Sequence, residues 1–231
     1  MNAATHSVRE QNMQKRRERI LAEARNLLAR DGFDALNFRD LASKADVTVP
    51  TVYNLIGKKE EVLLALAEEV LAEIEARFPN KENADPLDAA AAVVAGCTQI
   101  FSENTDYYRP AFLALESLDQ SGQYHEEVER IYDWVGTLMH RGIDICIDAN
   151  LLRGRITREQ MSTLMTRSFR MNCRAWAFGY NTIAEFREQA LADLYLILAA
   201  DAVETFHARL LRNLKKSQSN TSVIAKTNRS L

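Results

Sequence analysis

Thr48, Tyr53 and Lys58 bracket a short stretch, Asp46 to Glu60, whose side chains suit the holding of phosphate oxygens. Two hydroxyls can donate to an anionic oxygen. Lys58 stands where a new helix begins, an end whose unpaired N–H groups already favour anions. Asn37 and Arg39 lie at a second such end. Between the anchors, Thr51 and Asn54 offer hydrogen bonds to base edges, and Val49 with Pro50 offers apolar contact to thymine methyls. Catalytic chemistry is poorly served. Glu204-x-x-His207 is a single pair, whereas a di-iron bundle needs two such pairs and two more glutamates. The sequence has no His-Glu-x-x-His, Cys-x-x-Cys, phosphate-loop or Gly-x-Ser-x-Gly motif. No catalytic residue, metal site or cofactor is expected.

The elements that must position these groups are helices. Thr48 suits an N-cap, Pro50 falls in the first helical turn, and Gly57 stops the helix after about two turns. Val52, Leu55 and Ile56 form its apolar stripe. Before it, Gln14 to Arg30 carries Ile20, Leu21, Ala24, Leu27 and Leu28 at helical spacing, with a basic start at Lys15, Arg16 and Arg17. Asn37 caps a second helix, with Asp40 three positions on as a short capping-box partner, and Asp46 takes the tight turn. A helix over 58–78 follows, and the polar run from Pro79 to Ala84 divides head from body.

Beyond the break, the pattern predicts helices over 85–103, 107–118, 124–149, 157–178 and 182–214. Thr157-x-x-Gln160 and Thr182-x-x-Glu185 are capping boxes at the last two starts. Those two helices are long and carry too many apolar positions for one packing face, so they are expected to pack against a second subunit as well. Residues 1–13 and 217–231 are polar and expected to be disordered.

Composition agrees with an all-α chain: 231 residues, with only 8 Gly and 4 Pro. The three cysteines, Cys97, Cys146 and Cys173, are far apart and suit reduced thiols in a cytoplasm. No apolar run is long enough for a membrane span, and no leader is evident. The net charge of −3 conceals a basic N-terminal quarter on an acidic remainder, a mild footprint for nucleic acid.

The order helix, capped helix, Asp turn, short helix, then Lys58-Lys59-Glu60-Glu61-Val62-Leu63 resembles the TetR family of bacterial transcriptional regulators. The resemblance runs from about Arg16 to Val70. It includes Ile20-Leu21-x-x-Ala24, Asp31-Gly32-Phe33, Arg39-Asp40-Leu41-Ala42 and Thr51-Val52-Tyr53. It implies a tetR-type DNA-binding domain over 14–78 with its helix-turn-helix at 37–56, and a ligand-binding and dimerisation domain over 85–216. It further implies a cytoplasmic homodimer reading a pseudo-palindromic operator in double-stranded DNA. Two departures matter: Asp46 replaces the usual Gly, and Val49-Pro50 stands where many members carry polar residues.

Resemblance also implies a small-molecule pocket in the body. Its candidate lining is Phe101, Phe112, Trp134, Met139, Met165, Phe169, Cys173 and Trp176, residues that could equally fill a core. Arg167, Arg170 and Arg174 share one helix face and suit either an anionic ligand or salt bridges to acids such as Glu116, Asp144 and Asp193. The expected function is a repressor released from its operator by a small, largely apolar ligand. The alternatives are a regulator without an effector or with a protein partner, and a di-iron redox enzyme.

Overall fold

The computed structural model describes residues 3–78 and 85–227, with side chains over 8–78 and 85–216. The described residues form ten helices and one isolated bridge, with no strand. The chain divides into two compact units. One comprises residues 1–70 and 104–129, the other 71–103 and 130–231. The break expected at 79–84 lies outside the described residues.

The first unit contains α1 (Ala3–Asp31), α2 (Phe38–Lys44), α3 (Val49–Leu55), the start of α4 (Lys59–Ala76), α6 (Thr105–Ser121) and the first turn of α7 (His125–Asp148). The expected apolar stripes meet in its core. Ile20, Leu21, Ala24, Leu27 and Leu28 of α1 close on Leu41, Ala42, Val52, Val62 and Leu66. Tyr107 of α6 completes that core at 2 % exposure, which places α6 with the head. Burial pushes the Tyr107 hydroxyl up to about 12. Arg25 of α1 and Glu69 of α4 add an ion pair at 2.6 Å. Two expectations change here. α1 is helical from Ala3, so residues 3–13 are not a structureless arm. Nothing breaks a helix before Gly32, and Ala3, Ala4, Arg9, Glu10, Gln11 and Met13 are good helix formers. α6 starts earlier than expected because Asn104, not an intrahelical residue, caps it through Oδ1 to Tyr107 N.

The second unit holds the last turns of α4, α5 (Pro86–Glu103), the rest of α7, α8 (Arg158–Ala177), α9 (Ile183–Ala199) and α10 (Glu204–Thr227). Both capping boxes form, at Thr157 with Gln160 and at Thr182 with Glu185. The single helix expected over 182–214 is two helices. The interruption is held from a distance: the buried Asp201 carboxylate accepts from Gly154 N at 2.8 Å and Arg155 N at 2.9 Å. Arg153 N donates to the Asp201 carbonyl, Val203 N donates to Leu151 O, and Leu152 bridges Ala202. These bonds replace helical ones that Ala199 to Val203 would otherwise make. The tail expected to be disordered from 217 continues as α10 to Thr227, and residues 228–231 lie outside the description. None of the described helices is long and apolar enough to cross a membrane.

Candidate nucleic-acid interface

Thr48 caps α3 as its residue type requires, its Oγ1 accepting from Thr51 N at 3.3 Å. Asp46 turns the chain at φ 51°, and Gly57 stops it at φ 118°. Only Val52 of α3 is fully buried, with Leu55 and Ile56 packed around it. The rest of the helix is turned outward. Pro50, Tyr53 and Asn54 are exposed, and Thr51 is half-buried.

The expected contact residues separate by role. The Tyr53 ring leans on Phe38 with centroids 4.9 Å apart, which fixes the direction of a side chain still 53 % exposed. Its hydroxyl therefore leaves the head on a braced ring. The Asn37 Oδ1 is spent on Arg39 N at 2.8 Å, leaving its amide N–H groups for a phosphate, with Arg39 exposed beside it. The α2 cap is thus the Asn37 side-chain amide oxygen, where a capping box with Asp40 was expected. Thr48 and Thr51 pair their hydroxyls at 2.8 Å, so Thr51 is a weaker base reader than its type suggests. Val49 is half-buried against the head core, and its apolar surface is partly used there.

The two lysines after Gly57 part ways. Lys58 is exposed at the start of α4, its own N–H donating to Glu61 Oε2 at 2.5 Å. Lys59 is structural. Its ammonium donates to Asp34 O at 2.8 Å and lies 4.6 Å from the centre of the Phe33 ring. One lysine thus ties α4 to the α1–α2 connection while the other faces solvent at a helix end that attracts anions.

Because α1 runs back past residue 13, Arg9 and Asn12, which sequence reasoning did not assign, join Arg16 of the basic stretch that was expected to reach DNA backbone or minor groove, and stand beside α3. Arg9, Asn12 and Arg16 line an open groove of about 480 Å³ with Thr51 and Asn54. Their signal was legible in principle: an unbroken run of helix formers places positions 9, 12 and 16 on one face.

A match to the family model for bacterial regulatory proteins of the tetR family covers residues 20–66, the segment that builds this head. The head is thus similar to the DNA-binding domain of the TetR family. Among its relatives is the HTH-type transcriptional regulator EthR of Mycolicibacterium smegmatis. It is 30% identical over 107 residues, 46% of this chain and 49% of that protein. The chain spans about half the length of the curated relatives it matches. Two solved structures share the TetR fold across most of their length. SmeT, the repressor of the Stenotrophomonas maltophilia multidrug efflux pump SmeDEF, has a TM-score of 0.64 at 18% identity, over 82% of this chain and 92% of its own. Thermus thermophilus FadR in complex with lauroyl-CoA has a TM-score of 0.61 at 21% identity, over 81% and 96%. At such identities the likeness is one of fold.

In the second unit, the expected ligand residues are only partly brought together. Phe101 stacks on Trp176 at 5.0 Å and 11°, and both meet Phe186, which also meets Phe169 at 5.7 Å. Phe186 is thus the hub of the cluster, a role its sequence position did not reveal. Met139, Met165 and Phe169 line a void of about 10 Å³ beside Ser168 and Asp193. Cys173 is buried on the same helix. Trp134 lies apart, donating to Glu75 Oε2 at 3.2 Å, and Phe112 belongs to the first unit. One arginine of that face meets an aromatic ring, and two of the acids named with it have partners outside the face. The Arg170 guanidinium lies 4.1 Å from the Tyr132 ring centre, Asp144 pairs with Arg158 at 3.2 Å, and Asp193 accepts from Ser168 and Asn172. Burial pushes the Cys97 and Cys146 thiols up to about 12, so neither is a thiolate nucleophile.

Proposed function

We propose that this chain is a DNA-binding transcriptional regulator, a homodimeric repressor released from its operator by a small, largely apolar ligand. The observation that carries the DNA-binding part is the outward face of α3. A helix with one buried residue presents Pro50, Tyr53 and Asn54 to solvent, with Lys58 at one end and Arg16 across a groove. Such a helix fits a major groove, and its anchors are phosphate donors more than base readers. Direct readout by Asn54 and Pro50 is then supplemented by half-site spacing and DNA shape.

Dimerisation is supported by apolar surface left outside the core. Leu164, Met171 and Phe178 recur at heptad spacing along α8 and just past it, at 52, 62 and 54 % exposure. Leu196 of α9 and Leu211 of α10 are also exposed. Exposed apolar residues repeated at that interval suit a paired helix more than water. For the ligand, the relevant surface is the aromatic cluster around Phe186 and the void beside Asp193. At about 10 Å³ the void holds no effector, so a ligand must displace Met139 and Met165, whose unbranched side chains repack readily. Release then follows as a population shift: ligand in the body favours a head spacing that no longer matches successive major grooves, about 34–36 Å apart.

The test is operator binding by a ring-preserving variant. Tyr53→Phe keeps the contact with Phe38 and removes only the hydroxyl. A lost hydrogen bond to a charged oxygen is worth about 1.5–3 kcal/mol, so binding to a footprinted upstream operator weakens about ten- to a hundredfold with the fold intact. Unchanged affinity removes Tyr53 from the interface. Failure of the wild-type protein to protect any upstream DNA removes the whole reading.

A further inference from the structure

One side-chain cluster plays no part in the nucleic-acid face or the aromatic cluster. Asp119 stands in the last turn of α6, His125 opens α7, and Glu129 follows one helical turn after His125. The chain reverses between them through Gly122 in the left-handed region, φ 73°. All three residues belong to the first unit. Their ligating atoms, an imidazole nitrogen and two carboxylate oxygens, lie within 4.8 Å of one another. His125 Nδ1 and Asp119 Oδ1 are 2.6 Å apart.

We propose that Asp119, His125 and Glu129 bind a divalent transition-metal ion of the zinc type. An ion held about 2.0–2.2 Å from nitrogen and oxygen ligands sets tetrahedral partners roughly 3.4 Å apart. The His125–Asp119 pair must open by less than about 1 Å to reach that spacing, and Glu129 must swing inward. Both are side-chain rotations. The nitrogen ligand separates this set from the all-oxygen shells of calcium and magnesium. Three protein ligands leave a fourth position for water.

Access and field favour a cation. The Asp119 side chain is 16 % exposed while that of His125 is 58 % exposed, so the site has a sheltered carboxylate and an open mouth. Neighbouring charge is negative. Glu126 and Glu127 stand beside His125 in the first turn of α7. An ion here joins the end of α6 to the start of α7, clamping the connection that follows the helix carrying Tyr107 into the head core. The sequence did not suggest it because Asp119 and His125 are separated by a turn, and only the His125–Glu129 spacing has a helical period.

The test uses the full chain, freed of any affinity tag and treated with chelator, then titrated with zinc sulfate alone by calorimetry. The expected result is one ion per chain, with affinity reduced tenfold or more in both His125→Ala and Glu129→Gln, since loss of even an outer partner costs about 10–100-fold. Asp119→Asn serves as an independent variant, and circular dichroism checks that each retains its helices. Cobalt(II) gives a second readout: visible ligand-field absorption in the wild type that is absent from His125→Ala. No saturable zinc binding overturns the proposal. So does binding that all three variants leave unchanged, because the ion would then sit elsewhere. Operator binding by metal-free protein is a separate measurement, so either outcome here leaves the DNA-binding reading intact.

Discussion

In the head, the turns that present α3 are closed by residues reaching only their near neighbours. Asn37 accepts from Arg39 N, Thr48 from Thr51 N, and Glu61 from Lys58 N, while Asp46 and Gly57 adopt positive φ. In the second unit the comparable contacts cross long stretches of chain. Asp201 holds Gly154 and Arg155, Asp85 holds Arg209, and Glu75 holds both Trp134 and Arg141. Local closure suits a part that presents one fixed helix outward, as the proposed DNA contact requires. Distant closure ties together segments whose mutual placement is the thing to be set. The difference predicts where single substitutions act: on one helix in the head, on several elements at once in the other unit.

The largest effect belongs to Asp201. Its carboxylate is fully buried and satisfied by two backbone N–H groups, with its own carbonyl accepting from Arg153 N. Hydrogen bonds to charged groups are worth about 1.5–3 kcal/mol each, so Asp201→Ala lowers unfolding free energy by about 3 kcal/mol in urea titration. Because the same contacts interrupt the helix between α9 and α10, hydrogen exchange should quicken at both 151–157 and 199–204. A loss confined to one of these segments would mean that the bridge is not a shared closure.

That contrast also accounts for what the sequence made legible. The caps at Asn37 and Thr48 and the turns at Asp46 and Gly57 could be read, because each residue and its partner lie within one helical turn. Both capping boxes at Thr157 and Thr182 were legible for the same reason. The break at Ala200 to Val203 was not. It contains neither Gly nor Pro, and its cause is a loop nearly fifty positions earlier in the chain. The membership of α6 in the head escaped notice likewise, since only packing reveals that Tyr107 closes on α1. At the proposed nucleic-acid face, residue types put Tyr53 and Lys58 forward, and both are exposed. They could not show that Lys59 is taken by Asp34 and Phe33, or that Arg9 and Asn12 flank Asn54. In the body, aromatic content was visible, but Phe186 as its hub depends on three helices meeting.

Gly57 gives an intermediate effect and probes local closure directly. At φ 118° an alanine is strained, and its Cβ would stand 2.0 Å from Glu61 Oε2. The carboxylate that accepts from Lys58 N must then leave. An unfavourable backbone region costs about 1–3 kcal/mol, so Gly57→Ala destabilises by about 2 kcal/mol. Operator affinity should fall further than stability accounts for, because the turn sets Lys58 against α3. Equal stability with unchanged operator binding would show that the α3–α4 turn tolerates repositioning.

The smallest effect is expected at Asp85, where local and distant closure coincide. Its Oδ1 accepts from Leu87 N and Asp88 N at the start of α5 and also from Arg209 Nη2 at 2.7 Å. The Arg209 hydrogen bond is the main reason that its carboxyl stays below the usual carboxylate range. A group with a depressed folded pKa stabilises fully above its unfolded value, about 3.9, and loses that contribution as pH falls through the folded value. The side chain is 37 % exposed, so solvent screens the pair and its worth is at most about 1 kcal/mol. Asp85→Asn separates the two functions, since asparagine caps a helix about as well as aspartate but cannot pair with Arg209 as a charge. Its deficit in urea titration should be about 0.5 kcal/mol at neutral pH and should vanish as the pH is lowered through the folded pKa. Asp85→Ala, which also loses the cap, should keep a deficit of about 1 kcal/mol throughout. If the asparagine deficit persists unchanged in acid, the contact with Arg209 acts through packing and not through charge.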